Sequence, residues 1–388
     1  MTTSSRKPPL PHDILRFVQE LDGSEVSTLR RINERAVLRF LFDKPGEHSV
    51  AEIAAACALS RPTVEGALAQ LVQDGWILET AAQPLGQRAG RPAKRYSLAD
   101  RANVLVGLDL GPHGFVCVVT TLRGEPLASV RSSEIDLTDG ETAFDAVQQA
   151  MASALADADA QEQDVVALTV GLPAIVGADG GIALTVVVPQ WQTFDLPARI
   201  RGRYGSMRVI FENDAKLATV GEHAWGSAAG TQSAVNVLVG HRVAAGMIID
   251  GRLARGVHGG AGEIGALPST RWASAHRRLA DATGSMDQTL DAIAHDDPQA
   301  LRQLQKFADD LARGIAALCL ALDPEVVVIG GGVAQLGERL LAPLRAAVAA
   351  LTLFPIELRI SQLGQSAVAL GGIALCREYV TATVMQIG

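Results

Sequence analysis

Between Ser49 and Trp76 apolar positions recur at helical spacing in two short bursts. Val50, Ile53, Ala54 and Cys57 place one stripe on a first helix, and Val64, Ala67, Leu68, Leu71 and Val72 place another on a second. Ser49 and Glu52 have the S-x-x-E spacing in which hydroxyl and carboxylate each satisfy an unpaired backbone N–H. The chain turns at Ala58-Leu59-Ser60. Ser60 caps the second helix, Pro62 falls in its first turn where amides lack helical partners, and Gly75 stops it. Leu29, Ile32, Val37, Leu38, Leu41 and Phe42 predict an earlier amphipathic helix, ended by Pro45-Gly46, that packs beneath the pair.

Beyond Gly75 the texture changes to that of a hairpin. Trp76–Thr80 and Ala93–Leu98 read as two strands joined by the Gly- and Pro-rich AAQPLGQRAGRP. From Gly86 to Arg95 the chain carries Arg88, Arg91, Lys94 and Arg95 and no acidic residue. Helix, turn, helix and basic hairpin in this order predict a winged helix–turn–helix. Its second helix would enter the major groove of double-stranded DNA, and its wing would grip phosphates or the minor groove. Ser60, Arg61, Thr63 and Glu65 stand at the start of the reading helix. Arg88, Arg91, Lys94 and Arg95 supply the wing. A solvated charged loop explains the wing alone, but not the pair of features together.

From Val104 onward short apolar runs alternate with helical stretches. Strands are predicted at VLVGLDLG, GFVCVVTTL, PLASVRSSEI, Val165–Val170, MRVIFEN, SAVNVLVG, VAAGMIID, EVVVIGGGV and IELRIS. Helices are predicted over Thr142–Asp157, from Asp214, over Asp281–His295, Pro298–Leu322, Leu336–Leu351 and Ala367–Tyr379. Asp250-Gly251 marks a tight hairpin. VLVGLDLG and AVNVLVG each open a sheet unit and end at a glycine turn, which predicts two related lobes facing a cleft. The expected division is a DNA-binding domain over 1–100, with 1–23 disordered, and a two-lobed body over 101–388. The short junction Leu98–Asn103 lacks linker composition, so the module is expected to be held against the body.

Charge sharpens this division. The net charge of −8 is uneven: residues 1–100 carry 13 Lys+Arg against 12 Asp+Glu, net +1, whereas 101–388 carry 21 against 30, net −9. An acidic body repels DNA, so contact should be confined to the N-terminal module. The four cysteines lie far apart without a C-x-x-C spacing, as expected for reduced thiols in a cytoplasmic protein. No apolar run is long enough to predict a membrane span, and the first residues lack the apolar core of a signal peptide.

LRRINERAVL, LSRPTV, GRPAKRYSL, VGLDLG, FENDAKLATVGEHAWG, IIDGRLARGVHGGAGEIG, VVVIGGGV and ALGGIAL together resemble the ROK family of sugar kinases, sugar-responsive repressors and unassigned reading frames. The resemblance runs from about Leu29 to the C-terminal helix. It implies an α/β chain, an N-terminal winged helix–turn–helix plus an actin-like ATPase (ribonuclease H-like) body of two lobes with a sugar cleft between them. It also implies homodimers or homotetramers and control of carbohydrate genes.

Several positions depart from the kinase pattern. The first phosphate loop, D-x-G-G-T in the family, is Asp109-Leu110-Gly111-Pro112-His113 here, and Pro112 has no N–H to offer a phosphate. The second, G-T-G-x-G, is Gly240-His241-Arg242-Val243-Ala244. Gly330-Gly331-Gly332 persist at the adenosine-side turn, where strand-to-helix packing is the favoured role. Asn213 and Asp214 match the N-D pair that binds sugar and supplies the general base; read from the residues alone, Asp214 serves equally as a helix cap. Glu263 matches the glutamate of E-x-G-H, but Ala266 replaces the histidine. Arg242 could meet an anionic group. Asn213, Asp214, Glu263 and Arg242 are thus the candidate ligand residues. Many family members carry a cysteine cluster here for zinc. ALPSTRWASAHRRLA has no cysteine and one histidine, His276, so no metal is expected and packing around Leu267 and Trp272 is expected to hold the loop. No cofactor is expected either. The expectation is a non-phosphorylating regulator. A sugar kinase with an appended DNA module and a ligand-independent regulator are the alternatives.

Overall fold

The computed structural model describes residues 25–81, 94–133, 135–240, 242–273, 275, 279 and 286–384. Helix α1 (Glu25–Asp43) is followed by β1 (His48–Ser49), α2 (Val50–Cys57) and α3 (Arg61–Gln73). The capping box forms as the spacing predicts: Ser49 Oγ accepts from Glu52 N at 3.3 Å, and Glu52 accepts from Ser49 N at 2.6 Å. Ala58 takes the left-handed conformation that ends α2, and Ser60 Oγ accepts from Thr63 N to start α3. Strands β2 (Ile77–Ala81) and β3 (Lys94–Leu98) pair antiparallel, and β1 joins the far side of β3. The expected disorder over 1–23, and Arg88 and Arg91 in the wing, lie outside the described residues.

The body contains two five-stranded sheets of one topology. In the first, β4 (Val104–Gly111), β5 (Gly114–Thr121) and β6 (Pro126–Ser133) form an antiparallel meander. Helix α4 (Gly140–Asp157) then leads to β7 (Val165–Leu172), which lies parallel to β4 on its other side. A small hairpin of β8 (Ile175–Val176) and β9 (Ile182–Leu184), then α5 (Pro189–Phe194) and α6 (Leu196–Arg203), precede β10 (Arg208–Asn213), parallel to β7. Helix α7 (Asp214–Trp225) completes this half. The second half repeats the plan: β11 (Ala234–Val239), β12 (Val243–Ile249) and β13 (Arg252–Leu253) form the meander. Helices α8 (Met286–Ala294) and α9 (Pro298–Leu322) follow, then β14 (Val326–Gly331) parallel to β11. Helix α10 (Glu338–Ala349), β15 (Leu358–Ile360) parallel to β14, and α11 (Ala367–Tyr379) close the chain. The two order strings, β10-β7-β4-β5-β6 and β15-β14-β11-β12-β13, superpose element for element.

The closing helix of each half packs against the other at glycines. A Cβ on Gly371 of α11 would meet the Leu217 carbonyl of α7, and one on Gly221 of α7 would meet Ala367 O and Gly371 N. Gly107 on β4 lets the backbone of α11 approach at Ala369, and Gly246 on β12 makes room for Thr219 of α7. Gly331, at φ +85°, faces the Val239 carbonyl, so at this position the glycine lets β14 approach β11. Trp272 is fully buried against Gly314 and donates to Leu311 O at 3.2 Å. Leu267 is 57% exposed, so of the two residues expected to hold that loop only Trp272 does so. His276 lies outside the described residues.

The module and body share one core. Leu38, Leu41, Leu68, Trp76 and Leu98 cluster with Leu105, Leu122, Ala167, Ile373 and Cys376 of the body. Asn103, buried at the junction, donates to Gly75 O at 3.0 Å and Ala99 O at 3.2 Å.

The crossing of α7 and α11 leaves no room for a methyl group. Gly371→Ala is expected to destabilise the protein by about 2 kcal/mol or more in chemical denaturation, despite alanine's higher helix propensity. Gly66→Ala in α3, where a Cβ meets nothing within 4 Å, is expected to be neutral or stabilising by up to about 1 kcal/mol. Equal effects at the two sites would refute the packing argument.

Candidate functional site

Two sets of candidate residues stand apart. The first lies at the start of α3, where Val64, Ala67, Leu68 and Leu71 are buried and Arg61 and Glu65 remain exposed. Ser60 and Thr63 turn toward each other, their hydroxyls 2.7 Å apart, so both first shape the helix start. The wing is less free than its sequence implies. Lys94 pairs with Glu79 at 2.8 Å, and Arg95 donates to Glu47 O at 2.8 Å with the Glu52 carboxylate 3.6 Å away. Sequence reading found no acidic residue beside them because these partners come from β2, α2 and the loop before β1.

The second set surrounds the start of α7. The helix cap is Asn213, not Asp214: Asn213 Oδ1 accepts from Lys216 N at 3.0 Å, and its Nδ2 donates to Ala174 O and to Asp214 Oδ1. Asn213 therefore spends its side chain orienting Asp214. The Asp214 carboxylate also accepts from Ala215 N at 2.7 Å. Glu263 follows the loop after β13, and Arg242 is exposed in the turn between β11 and β12.

Electrostatics tie these groups into one site. Burial pushes the Asp109 carboxyl up to about 8, and the nearby Asp214 charge adds to the rise. Burial also raises Asp214, to about 6; the Ala215 N–H and Lys216 oppose the rise and Glu263 reinforces it. Glu263 is raised by burial against the pull of Lys216 and Arg242. The charge of Asp214 on α7 thus reaches Asp109 on β4, and that of Glu263 beyond β13 reaches Asp214.

Three further residues were missed from sequence. Lys216 is wholly buried and donates from Nζ to Gly259 O at 2.8 Å; burial lowers its pKa, against the carboxylates of Glu263, Glu212 and Asp214. Arg255 Nε reaches Glu212 at 2.6 Å, and the other Glu212 oxygen accepts from Asn213 N. Arg255 and Gly259 belong to the second half of the body, while Glu212 ends β10 of the first. These contacts therefore bind the loop over 254–263 across the cleft. The signal was present, since Glu212 and Lys216 flank the N-D pair and Lys216 is the one lysine in α7.

Both turns that correspond to the family's phosphate loops carry backbone hydrogen bonds of their own. Pro112 is buried, lacks an N–H, and its carbonyl accepts from Leu137 N at 2.8 Å, while His113 O accepts from Ile135 N. The first turn is thus tied to the segment between β6 and α4. In the second, Gly240 N is taken by Arg242 O at 3.0 Å. Among the described residues no group of three or more His, Cys, Asp or Glu could hold a metal ion.

The chain matches the ROK family over residues 105–276 and 271–379, and the IclR helix-turn-helix domain over 36–80. It belongs to the ROK family, and with its helix–turn–helix module it is of that family's transcriptional-regulator class. It is 22% identical over 385 residues to the xylose repressor of Caldicellulosiruptor bescii, covering 89% of this chain and 96% of that protein. A glucokinase of Halalkalibacterium halodurans is 26% identical over 313 residues, 70% of this chain and 94% of the enzyme. Among solved structures, a ROK family transcriptional regulator described as a homologue of the E. coli MLC protein aligns with TM-score 0.67 and 19% identity, covering 92% of this chain and 98% of that one. A ROK family glucokinase from Streptomyces griseus, in complex with glucose and AMPPNP, aligns with TM-score 0.62 and 22% identity, covering 71% and 100%. The alignments support the fold of the whole chain and of the body respectively.

The raised Asp109 carboxyl carries a pH signature. Its folded pKa lies above that of the unfolded chain, so between about pH 4 and pH 8 the folded state holds more protons and loses stability as pH rises. Asp109→Asn removes that loss. The melting temperature of Asp109→Asn relative to wild type is expected to climb steadily from pH 5 to pH 8, and a pH-independent difference would refute the assignment.

Proposed function

We propose that the protein regulates carbohydrate genes by binding a double-stranded DNA operator, and that its kinase-like body binds a ligand without phosphorylating it. The observation that carries this reading is the exposed start of α3, displayed by a module whose core continues into the body. Arg61 and Glu65 present exposed side chains there, at the end of the helix that would meet base edges. Arg88 and Arg91, outside the described residues, and in part Lys94 and Arg95, would serve phosphates or the minor groove.

The cleft favours a hydroxyl-rich ligand. Ionised Asp214 and Glu263 accept hydrogen bonds from hydroxyls, while a protonated Asp109 can donate one. The xylose repressor and glucokinase relatives support a sugar or a sugar-derived metabolite. Arg242, exposed beside Glu263, suits an anionic substituent. The closed turns at Pro112 and Gly240 argue against a nucleotide cradle, and phosphoryl transfer depends mainly on positioning and on stabilising phosphate charge. Each missing charge-assisted hydrogen bond forfeits roughly 1.5–3 kcal/mol. No cofactor or metal is invoked. The reading includes assembly as a homodimer or homotetramer, as operators with two half-sites require, and action in the cytoplasm. No described helix is long and apolar enough to cross a membrane.

A sugar-kinase reading retains one specific support, the Asp214 carboxyl raised to about 6 and placed to act as a base. ADP release measured against an aldose panel separates the two. No sugar-dependent turnover is expected, and turnover that disappears in Asp214→Ala would make the protein a kinase.

DNA binding is tested by selecting genomic fragments with the full chain and measuring isotherms on them. Arg61→Ala is expected to cost roughly 1–3 kcal/mol on the preferred operator and to alter which sequence is preferred. Arg91→Ala should weaken all sequences alike and flatten the salt dependence by about one ion. If neither substitution changes the isotherms, the assignment of reading helix and wing is wrong.

A further inference from the structure

The junction between module and body holds a contact that neither the cleft nor the reading helix explains. The last carbonyls of α1 have no partner within the helix. Two of them are taken by one side chain of the body. Arg123, in the turn between β5 and β6, donates from Nε to Phe42 O at 3.0 Å and from Nη2 to Leu41 O at 2.7 Å. Its Nη1 is ion-paired with Asp100, two residues beyond β3, which also accepts the Arg123 backbone N–H at 3.3 Å. The pair is well shielded, with side chains 17% and 15% exposed. A planar guanidinium engaged on three sides has a fixed direction, and its hydrogen bonds to helix C-terminal carbonyls also suit the negative end of the helix dipole.

The turn that carries Arg123 is itself wedged. Gly124, at φ +90°, lies where a Cβ would be 3.2 Å from the Trp225 ring and 3.2 Å from the Arg377 side chain. Arg377, on α11, lies over the Trp225 ring at 5.5 Å. Trp225 is the last residue of α7, the helix whose first residue is Asp214.

We infer that Arg123 is a positioning residue for DNA binding: a side chain of the body that fixes the stance of α1, and through it α3, without touching DNA. Because α1 packs directly on α3 and on α2, its C-terminal anchor sets the angle at which the reading helix leaves the body. The inference rests on the regulator reading for its DNA consequence, whereas the clamp itself can be measured with neither DNA nor ligand.

The test uses the full chain as wild type, Arg123→Lys and Arg123→Gln, each first shown folded by circular dichroism. Hydrogen exchange followed by mass spectrometry is expected to quicken by about tenfold over α1 and α3 in Arg123→Gln, with β4 and β7 unchanged, because opening would be confined to the module. Arg123→Lys, which keeps the charge beside Asp100 and a donor for one carbonyl, should fall between. On fragments selected by wild type, Arg123→Gln should lose about tenfold or more in affinity with an unchanged salt slope, since no phosphate contact is removed. Unchanged exchange in the module, or an equal rise across the body, would overturn the clamp. Faster module exchange with undiminished DNA affinity would overturn the positioning role. A wild type that selects no DNA would instead overturn the regulator reading, and the exchange result would still decide the clamp.

Discussion

The close crossing of α7 and α11 is the contact on which the remainder of the body depends. Each helix ends one half of a duplicated chain, and each packs on its twin and chiefly on the sheet of the other half, α7 on β11 and β12 and α11 on β4 and β7. Glycines at 221 and 371 bring backbone against backbone, with Gly107 and Gly246 admitting the same pair to the two sheets. Close-packed interiors tolerate added volume poorly, so these positions fix the distance between the halves. The motif ALGGIAL acquires a physical meaning here, as the stretch of α11 that must lie flat on β4 and α7.

The cleft is built at one end of that crossing and the junction with the DNA module at the other. At the Asp214 end, burial raises three carboxyls, and two cations hold the site together. Lys216 and Arg255 bind the loop of the second half to α7 and β10. Glu212 and Lys216 are buried, so a lost partner leaves an uncompensated charge that is costly. The turns at Pro112 and Gly240 carry backbone hydrogen bonds of their own.

At the Trp225 end the module is fixed by a shared hydrophobic core, by Asn103 and by Arg123. A helix–turn–helix joined by a free tether could not feel the body. Here the carbonyls of α1 are satisfied by the body's own guanidinium, so helix termination and domain placement become one event.

Much of this was legible in the chain itself. Periodicity, the Ser49 capping box, Ser60 and Gly75 specify α2 and α3 through local forces that need no distant partner. The duplicated strand pattern announced two lobes, and Pro112 announced a phosphate loop without its N–H. Other features depended on residues far apart in sequence. Asn213 rather than Asp214 caps α7, because the cap is chosen by backbone geometry at the end of β10. Lys94 and Arg95 look unpaired until β2 and the start of α2 bring Glu79, Glu47 and Glu52 beside them. Leu267 is apolar yet exposed, since Trp272 alone finds the space made by Gly314. Arg255 and Arg123 are unremarkable cations in the linear chain, and Lys216 is marked there only by its place beside the N-D pair. Only the tertiary structure surrounds them with carboxylates and carbonyls from other elements, and the strength of a charge–dipole contact is set by that distance and burial, which local sequence does not encode.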